Sequence, residues 1–438
     1  MNRFPCKPGS RIVGLLVLLP LLWAARAAAT TTSAALNYAT PLPARIAAVR
    51  VENLAGHLTV TQGPAFKVTA TVVAAGEDAA AAQALAASVK LDTTESGGQF
   101  TVHVHYPVSR YRSYVYAPTA GSAGSSDDGG SACFLGLFCF NGGGSGAEEY
   151  QGTRVRVQRG GSGADLHVDV VVELPAKLQA SFLNYVGRSD FTGLQNDLRI
   201  KTSSGDAYAS GVTGNFGADT GSGDVNIRDL TGNLNADTGS GDVHAAKITG
   251  DLIADTGSGD VFVDGFKGSV HADTGSGDVH MSNGAGETLY ADTGSGDVFI
   301  QGTQGDMRLD TGSGDVHIAK ASGSLHADTG SGGVHAESYT SGASVWADTG
   351  SGDVTLAGDL SALRKLYIDT GSGDATLRSS TGLSLQLAAS CDHCAIHVNL
   401  PGMRNVVSQR YSFSADLGAA EGSGTISTGS GDITVSQE

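Results

Sequence analysis

Nine copies of the tetrapeptide Asp-Thr-Gly-Ser run through the second half of the chain, the first at Asp219-Thr220-Gly221-Ser222. In pepsin-like and retroviral proteases this tetrapeptide carries one of two aspartates that share a proton and activate water. That chemistry needs two copies, one per lobe, meeting face to face. Here the aspartates fall at Asp219, Asp237, Asp255, Asp273, Asp292, Asp310, Asp328, Asp348 and Asp369, in steps of 18 to 21 residues. Tandem copies at that spacing cannot pair off across a cleft, so the protease reading fails. A fixed short period marks a solenoid instead.

Other side chains invite chemical readings. A second acidic column follows the first: Asp224, Asp242, Asp260, Asp278, Asp297, Asp315, Asp353 and Asp374, interrupted by Gly333. Calcium-binding β-rolls repeat G-G-x-G-x-D, whereas here Asp follows Gly directly in G-S-G-D. The favoured reading is Asp as a corner residue, with no cofactor or metal assigned. Two positions per repeat collect rings. After G-D-V come Asn226, His244, Phe262, His280, Phe299, His317 and His335; before A-D come Asn235, Ile253, His271, Tyr290, His326 and Trp346. They form either a binding strip for sugars or a partner, or ordinary outward residues of strands that favour aromatics. A metal at His317 and His335 lacks a fixed third ligand. Of five cysteines, Cys6 lies in the leader, and the rest form two local pairs, Cys133/Cys139 in "CFLGLFC" and Cys391/Cys394 in "CDHC". In an exported chain these read as disulfides in preference to redox or zinc sites.

The elements that position these residues follow from alternation. Leu234 and Ala236 precede the T-G-S-G-D corner, and Val243 and Ala245 follow it; Leu252/Ala254 with Val261/Val263 and Leu289/Ala291 with Val298/Ile300 repeat the pattern. Period-two apolar residues mark strands with one buried face. A second turn, "TGN", "TGD" or "KGS", closes each unit. The chain is therefore all-β: a parallel β-solenoid, right-handed by default, of coils of 18–21 residues stacked ~4.8 Å apart. Ten or eleven coils give a rod of roughly 50 Å.

The chain divides accordingly. Residues 1–29 are a signal peptide: Arg3, Lys7 and Arg11, then "IVGLLVLLPLLWA", then "ARAAA". Residues 30–107 form a β-rich entry region with one short helix in "GEDAAAAQALAASVKL". Residues 108–163 are a Gly/Ser-rich insertion with an apolar tip, serving either as a partner or membrane contact or as a plug on the solenoid. The repeats fill 164–379. Irregular coils and a cap fill 380–438, ending in one closing coil at "STGSGDITV". The expected localisation is the periplasm, the cell surface or the medium, with no transmembrane segment in the mature chain. The formal charge of −17 argues against nucleic acid and anionic lipid as partners and favours cations or basic surfaces.

Three stretches together carry a resemblance: "RIAAVRVENLAGHLTVTQGPAFKVTATVV", "VDVVVELPAKLQASFLNYVGRSDFTGL" and "SGDAYASGVTGNFGADTGSGDV". Their linked order resembles a bacterial family of exported β-strand-repeat proteins regarded as adhesins, a domain of unknown function. The 108–163 insertion is outside that pattern. The resemblance implies a β-solenoid, export and a surface role, and supplies no catalytic residues. The expected function is a non-enzymatic surface or envelope protein that binds a glycan or envelope protein through the solenoid face. The alternatives are a structural spacer or envelope-stress component without its own ligand, and a polysaccharide-active enzyme on a parallel β-helix. Against the enzyme, Arg228, Lys247, Lys267 and Arg308 scatter through the units instead of gathering beside carboxylates. End-to-end self-association is the further partner to test.

Overall fold

Each repeat folds into one coil because its two glycine corners fall where two short strands must reverse. In the coil at Leu234, the strand Leu234–Thr238 turns through Gly239–Asp242 into the strand Val243–Thr249, and the chain returns through Gly250. In this computed structural model, which describes residues 30–39, 41–116 and 147–437 and the backbone of 132–134 and 138–140, coils pair in parallel and in register. Leu234 lies against Leu252, Ala236 against Ala254 and Asp237 against Asp255. The alternating apolar positions point inward: Leu234, Ala236, Val243, Ala245 and Ile248 are all buried. The core is a narrow column of Val, Ala, Leu and Ile, so stability is a sum of neighbouring-coil terms.

The second strand bends partway along. Asp229, Lys247, Asn283, Lys320 and Ser338 occupy that bend with φ of 51–56°, and Gly265 and Gly302 occupy it in neighbouring coils. L-residues visit αL as single residues, at a cost of about 1–2 kcal/mol that Gly avoids. Repeats longer than 18 residues place their extra residues near the second corner. Register shifts occur between Ala285 and Thr288 and between Gly323 and Leu325, while Thr-Gly-Ser-Gly-Asp stays in phase throughout.

Both ends are built out of chain order. At the start, Ala48–Ala55 and Leu58–Gln62 form a coil that receives Gln179–Val186 and Ser189–Thr192 on one side. On its other side lie Gln99–His105 and Ala164–Leu174. Lys67–Gly76, Thr30–Tyr38 and the helix Ala79–Ala86 extend that end, the helix capped by the Asp78 side chain on the Ala81 N–H. These additions lengthen the rod beyond the ten or eleven coils expected.

At the finish the order inverts, which corrects the expected closing coil at the chain end. Lys365–Thr370 pairs with Gly422–Thr428, and Gly422–Thr428 in turn pairs with Leu385–Cys391. Ala375–Ser379 likewise pairs with Ile433–Gln437, which pairs with Ile396–Asn399. The last coil in sequence is thus the penultimate coil in space. Residues 380–421 are an insertion that folds over it, finished by the antiparallel strands Ser412–Asp416 and Arg404–Gln409. Sheet edges of a solenoid must be covered against edge-to-edge pairing, and this insertion covers one.

Candidate functional site: the laddered corners and faces

The repeated tetrapeptide is corner chemistry. Thr238 is 1% exposed, and its Oγ1 accepts the Gly241 N–H at 3.1 Å and donates to the Gly223 carbonyl one coil away at 2.9 Å. Thr256, Thr274, Thr293, Thr311 and Thr329 repeat both bonds. The threonine therefore closes its own turn and ties it to the preceding one. The last corner glycine is required by proximity: a Cβ on Gly223 would stand 2.1 Å from the Gly205 carbonyl oxygen.

The aspartate after the corner also has a structural task. Its Oδ1 accepts the backbone N–H of the next aspartate in the column, as Asp224 does from Asp242 and Asp260 from Asp278. Asp315 accepts from Gly333, where the column breaks. The second corner carries a parallel device that the sequence reading missed. Asp197 accepts the Asn215 N–H, Asn215 the Asn233 N–H, Asn233 the Asp251 N–H and Asp251 the Ser269 N–H. Asn and Asp share only a side-chain oxygen, and that shared acceptor was the available signal.

The first aspartate of each tetrapeptide faces outward. Lys201 ends this column with a 2.6 Å ion pair to Asp219. Burial first, and then neighbouring aspartates, push the carboxyls of Asp237, Asp273, Asp310 and Asp348 above the ordinary range. These acids are crowded by their own column. Contrary to the expectation from sequence, Lys247 does stand beside a carboxylate, 3.6 Å from Asp229.

The two ring columns become two stacks. On one face His244, Phe262, His280, Phe299, His317 and His335 stack in order, with centroids 4.6–5.5 Å apart. On the other, His271 stacks on Tyr290 at 4.3 Å, and His326, Trp346 and Tyr367 stack at 4.1 and 5.6 Å. Arg308 stands in register between Tyr290 and His326. Burial first, then Arg308, lowers the His326 pKa. Tyr290 and Tyr367 donate their hydroxyls to Asp292 and Asp369 at 2.8 and 3.1 Å. Asn226, Asn235 and Ile253 precede these stacks, and Ile253 is an exposed apolar residue. Arg308 and Tyr367 were left out of the column because they precede Leu309-Asp310 and Ile368-Asp369 instead of Ala-Asp. Stacking in register hides the ring faces against each other and leaves their edges outward.

Among the described residues no three His, Cys, Asp or Glu side chains converge as a metal site, His317 and His335 included. Cys391 and Cys394 are joined in a disulfide. Cys133 and Cys139 face each other across two short antiparallel strands; their side chains, the rest of the apolar tip and the 1–29 leader lie outside the described residues. No described helix is long and apolar enough to cross a membrane.

Laddered corners, parallel in-register coils and outward stacks define a β-solenoid repeat protein. Residues 162–265 and 266–362 match the family model Toastrack DUF4097, a domain of unknown function. No curated protein matches the chain. A solved structure from Clostridium sporogenes ATCC 15579, provisionally named a cell adhesion protein, matches at 7% identity over 93% of this chain and 100% of that one, with a TM-score of 0.16. A similarity that low adds nothing to the argument.

Proposed function

We propose that the chain is an exported, non-enzymatic surface or envelope protein that binds a partner through a face of its solenoid. The observation that carries this reading is the pair of outward ring stacks, each several coils long. One of them runs beside the outward carboxylate column, at positions two residues apart on the same strands. A rigid rod that repeats one chemical strip at every coil suits contact with an extended surface.

The geometry bears on the kind of partner. Sugars dock on exposed ring faces, and here most faces are occupied by neighbouring rings. The accessible groups are imidazole and indole edges, tyrosine hydroxyls and carboxylates, which suit a basic polypeptide better than a glycan. Against an enzyme, the second aspartate column spends its oxygens on backbone N–H groups.

Four measurements test this. Protease accessibility on intact host cells should cleave the mature protein; protection would count against a surface role. Pull-down from envelope extracts should recover a partner that the His326→Ala/Trp346→Ala variant loses. Glycan arrays separate a sugar ligand, and release of unsaturated product from uronate polymers would overturn the non-enzymatic reading. Silence in both binding assays would favour the spacer.

A further inference from the structure

The C-terminal insertion sits on the solenoid with its corner in the solenoid's own phase. Leu385–Cys391 pairs with Gly422–Thr428 so that Cys391 lies against Thr428, and Ile396 lies against Ile433 across the turn. The segment Cys391-Asp392-His393-Cys394-Ala395 therefore occupies the place that Thr428-Gly429-Ser430-Gly431-Asp432 occupies one coil below. One backbone contact is the array's own, Ala395 donating to Asp432 Oδ1 at 2.8 Å, while Asp392 and His393 donate to the Gly429 carbonyl where array corners use the threonine carbonyl. What differs is the closure. In the array, the threonine oxygen holds the N–H of the glycine three residues later. In the terminal coil the residues at those two places are Cys391 and Cys394, and a disulfide joins them. A hydrogen bond spanning i to i+3 has been replaced by a covalent link with the same span.

We propose that this disulfide is a redox latch on the end of the rod: a dithiol reductant opens it and loosens the terminal coil, while the array beneath stays closed. The attacking thiolate meets Cys394, which is part-exposed and follows the exposed pair Asp392 and His393, whereas Cys391 is buried. The Cys394 sulfur bonds to the incoming sulfur, the S–S bond breaks, and Cys391 leaves as a thiolate that takes a proton. The second reductant thiol then resolves the mixed disulfide, so that the reductant is oxidised and both cysteines become thiols. A thiol is a weak hydrogen-bonding group, so reduced Cys391 does not restore what threonine supplies elsewhere. The two array strands beneath, Gly422–Thr428 and Ile433–Gln437, then lose their cover.

Hydrogen exchange on the full chain, with and without dithiothreitol, tests the latch. Alkylation and mass spectrometry report which thiols are free. Reduction should speed exchange at residues 385–399 by at least about tenfold and leave the coils below Thr370 unchanged. The double variant Cys391→Thr/Cys394→Gly rebuilds the threonine–glycine corner and keeps Cys133 and Cys139. It should stay as protected as the oxidised chain and ignore the reductant. Unchanged protection once Cys391 and Cys394 are shown to be alkylated would overturn the proposal. So would a double variant that still loses protection on reduction, since the effect would then come from another cysteine pair.

Discussion

Thr274 and Gly259 belong to adjacent coils, and the threonine hydroxyl reaches the glycine carbonyl at 2.8 Å while holding the Gly277 N–H of its own corner at 3.1 Å. Thr274→Val keeps the shape and removes both bonds, leaving a buried donor and a buried acceptor unpaired. The expected loss is about 2 kcal/mol of unfolding free energy, and Thr274→Ser should recover most of it. Urea denaturation of the three proteins gives the comparison, and an unchanged valine variant would contradict the corner argument.

Two glycines of one coil should respond in opposite ways. A Cβ on Gly223 would lie 2.1 Å from a backbone oxygen, whereas one on Gly217 has no neighbour closer than 3.6 Å. Gly223→Ala should destabilise by more than about 2 kcal/mol. Gly217→Ala should stabilise by about 0.5 kcal/mol through the unfolded chain. Paired thermal melts would decide it.

The inner aspartate column should depend on its oxygen and not on its charge. Asp260→Asn retains the acceptor for the Asp278 N–H; Asp260→Ala does not. The asparagine variant should match or exceed the parent, and the alanine variant should lose about 1 kcal/mol. Equal losses in both would show that charge matters after all.

Acidification should act in two windows. Burial, then neighbouring acids, raise Asp237, Asp273, Asp310 and Asp348, so the folded state takes up their protons first. These groups make stability rise as pH falls toward the ordinary carboxylate value. Asp190 goes the other way: although its burial raises it, bonds from His57 and Arg188 hold it below the ordinary value. Hydrogen bonds from Ser282 and Asn283 lower Asp264. Those two lose stabilisation only at lower pH still. Melting temperature against pH should therefore climb less steeply between neutrality and pH ~4 in Asp273→Asn/Asp310→Asn than in the parent. Identical slopes would remove the outer column as the cause.

Much of this was legible because the solenoid repeats its reasons. Leu234, Ala236, Val243 and Ala245 announce strands by alternation, and Thr-Gly-Ser-Gly-Asp announces a corner. Its two bonding partners were hidden, since one of them, Gly223 for Thr238, lies a coil away. The ring columns were visible as columns, but their face-to-face stacking depends on rotamers that spacing does not specify. The second ladder escaped notice because Asn215, Asn233, Asp251 and Ser269 look like unrelated turn residues. The inverted C-terminal order was illegible in a stricter sense: nothing near Gly422 says that it pairs with Lys365 and Leu385 at once.

That inversion bears on how the molecule is made. The strand Ile433–Gln437 follows both Ala375–Ser379 and Ile396–Asn399 in sequence, yet it slots between them in space. A growing chain cannot seat residues 385–399 until residues 422–437 have followed them. The insertion is therefore made before its own floor, and a chain without that floor would leave it with nothing to rest on.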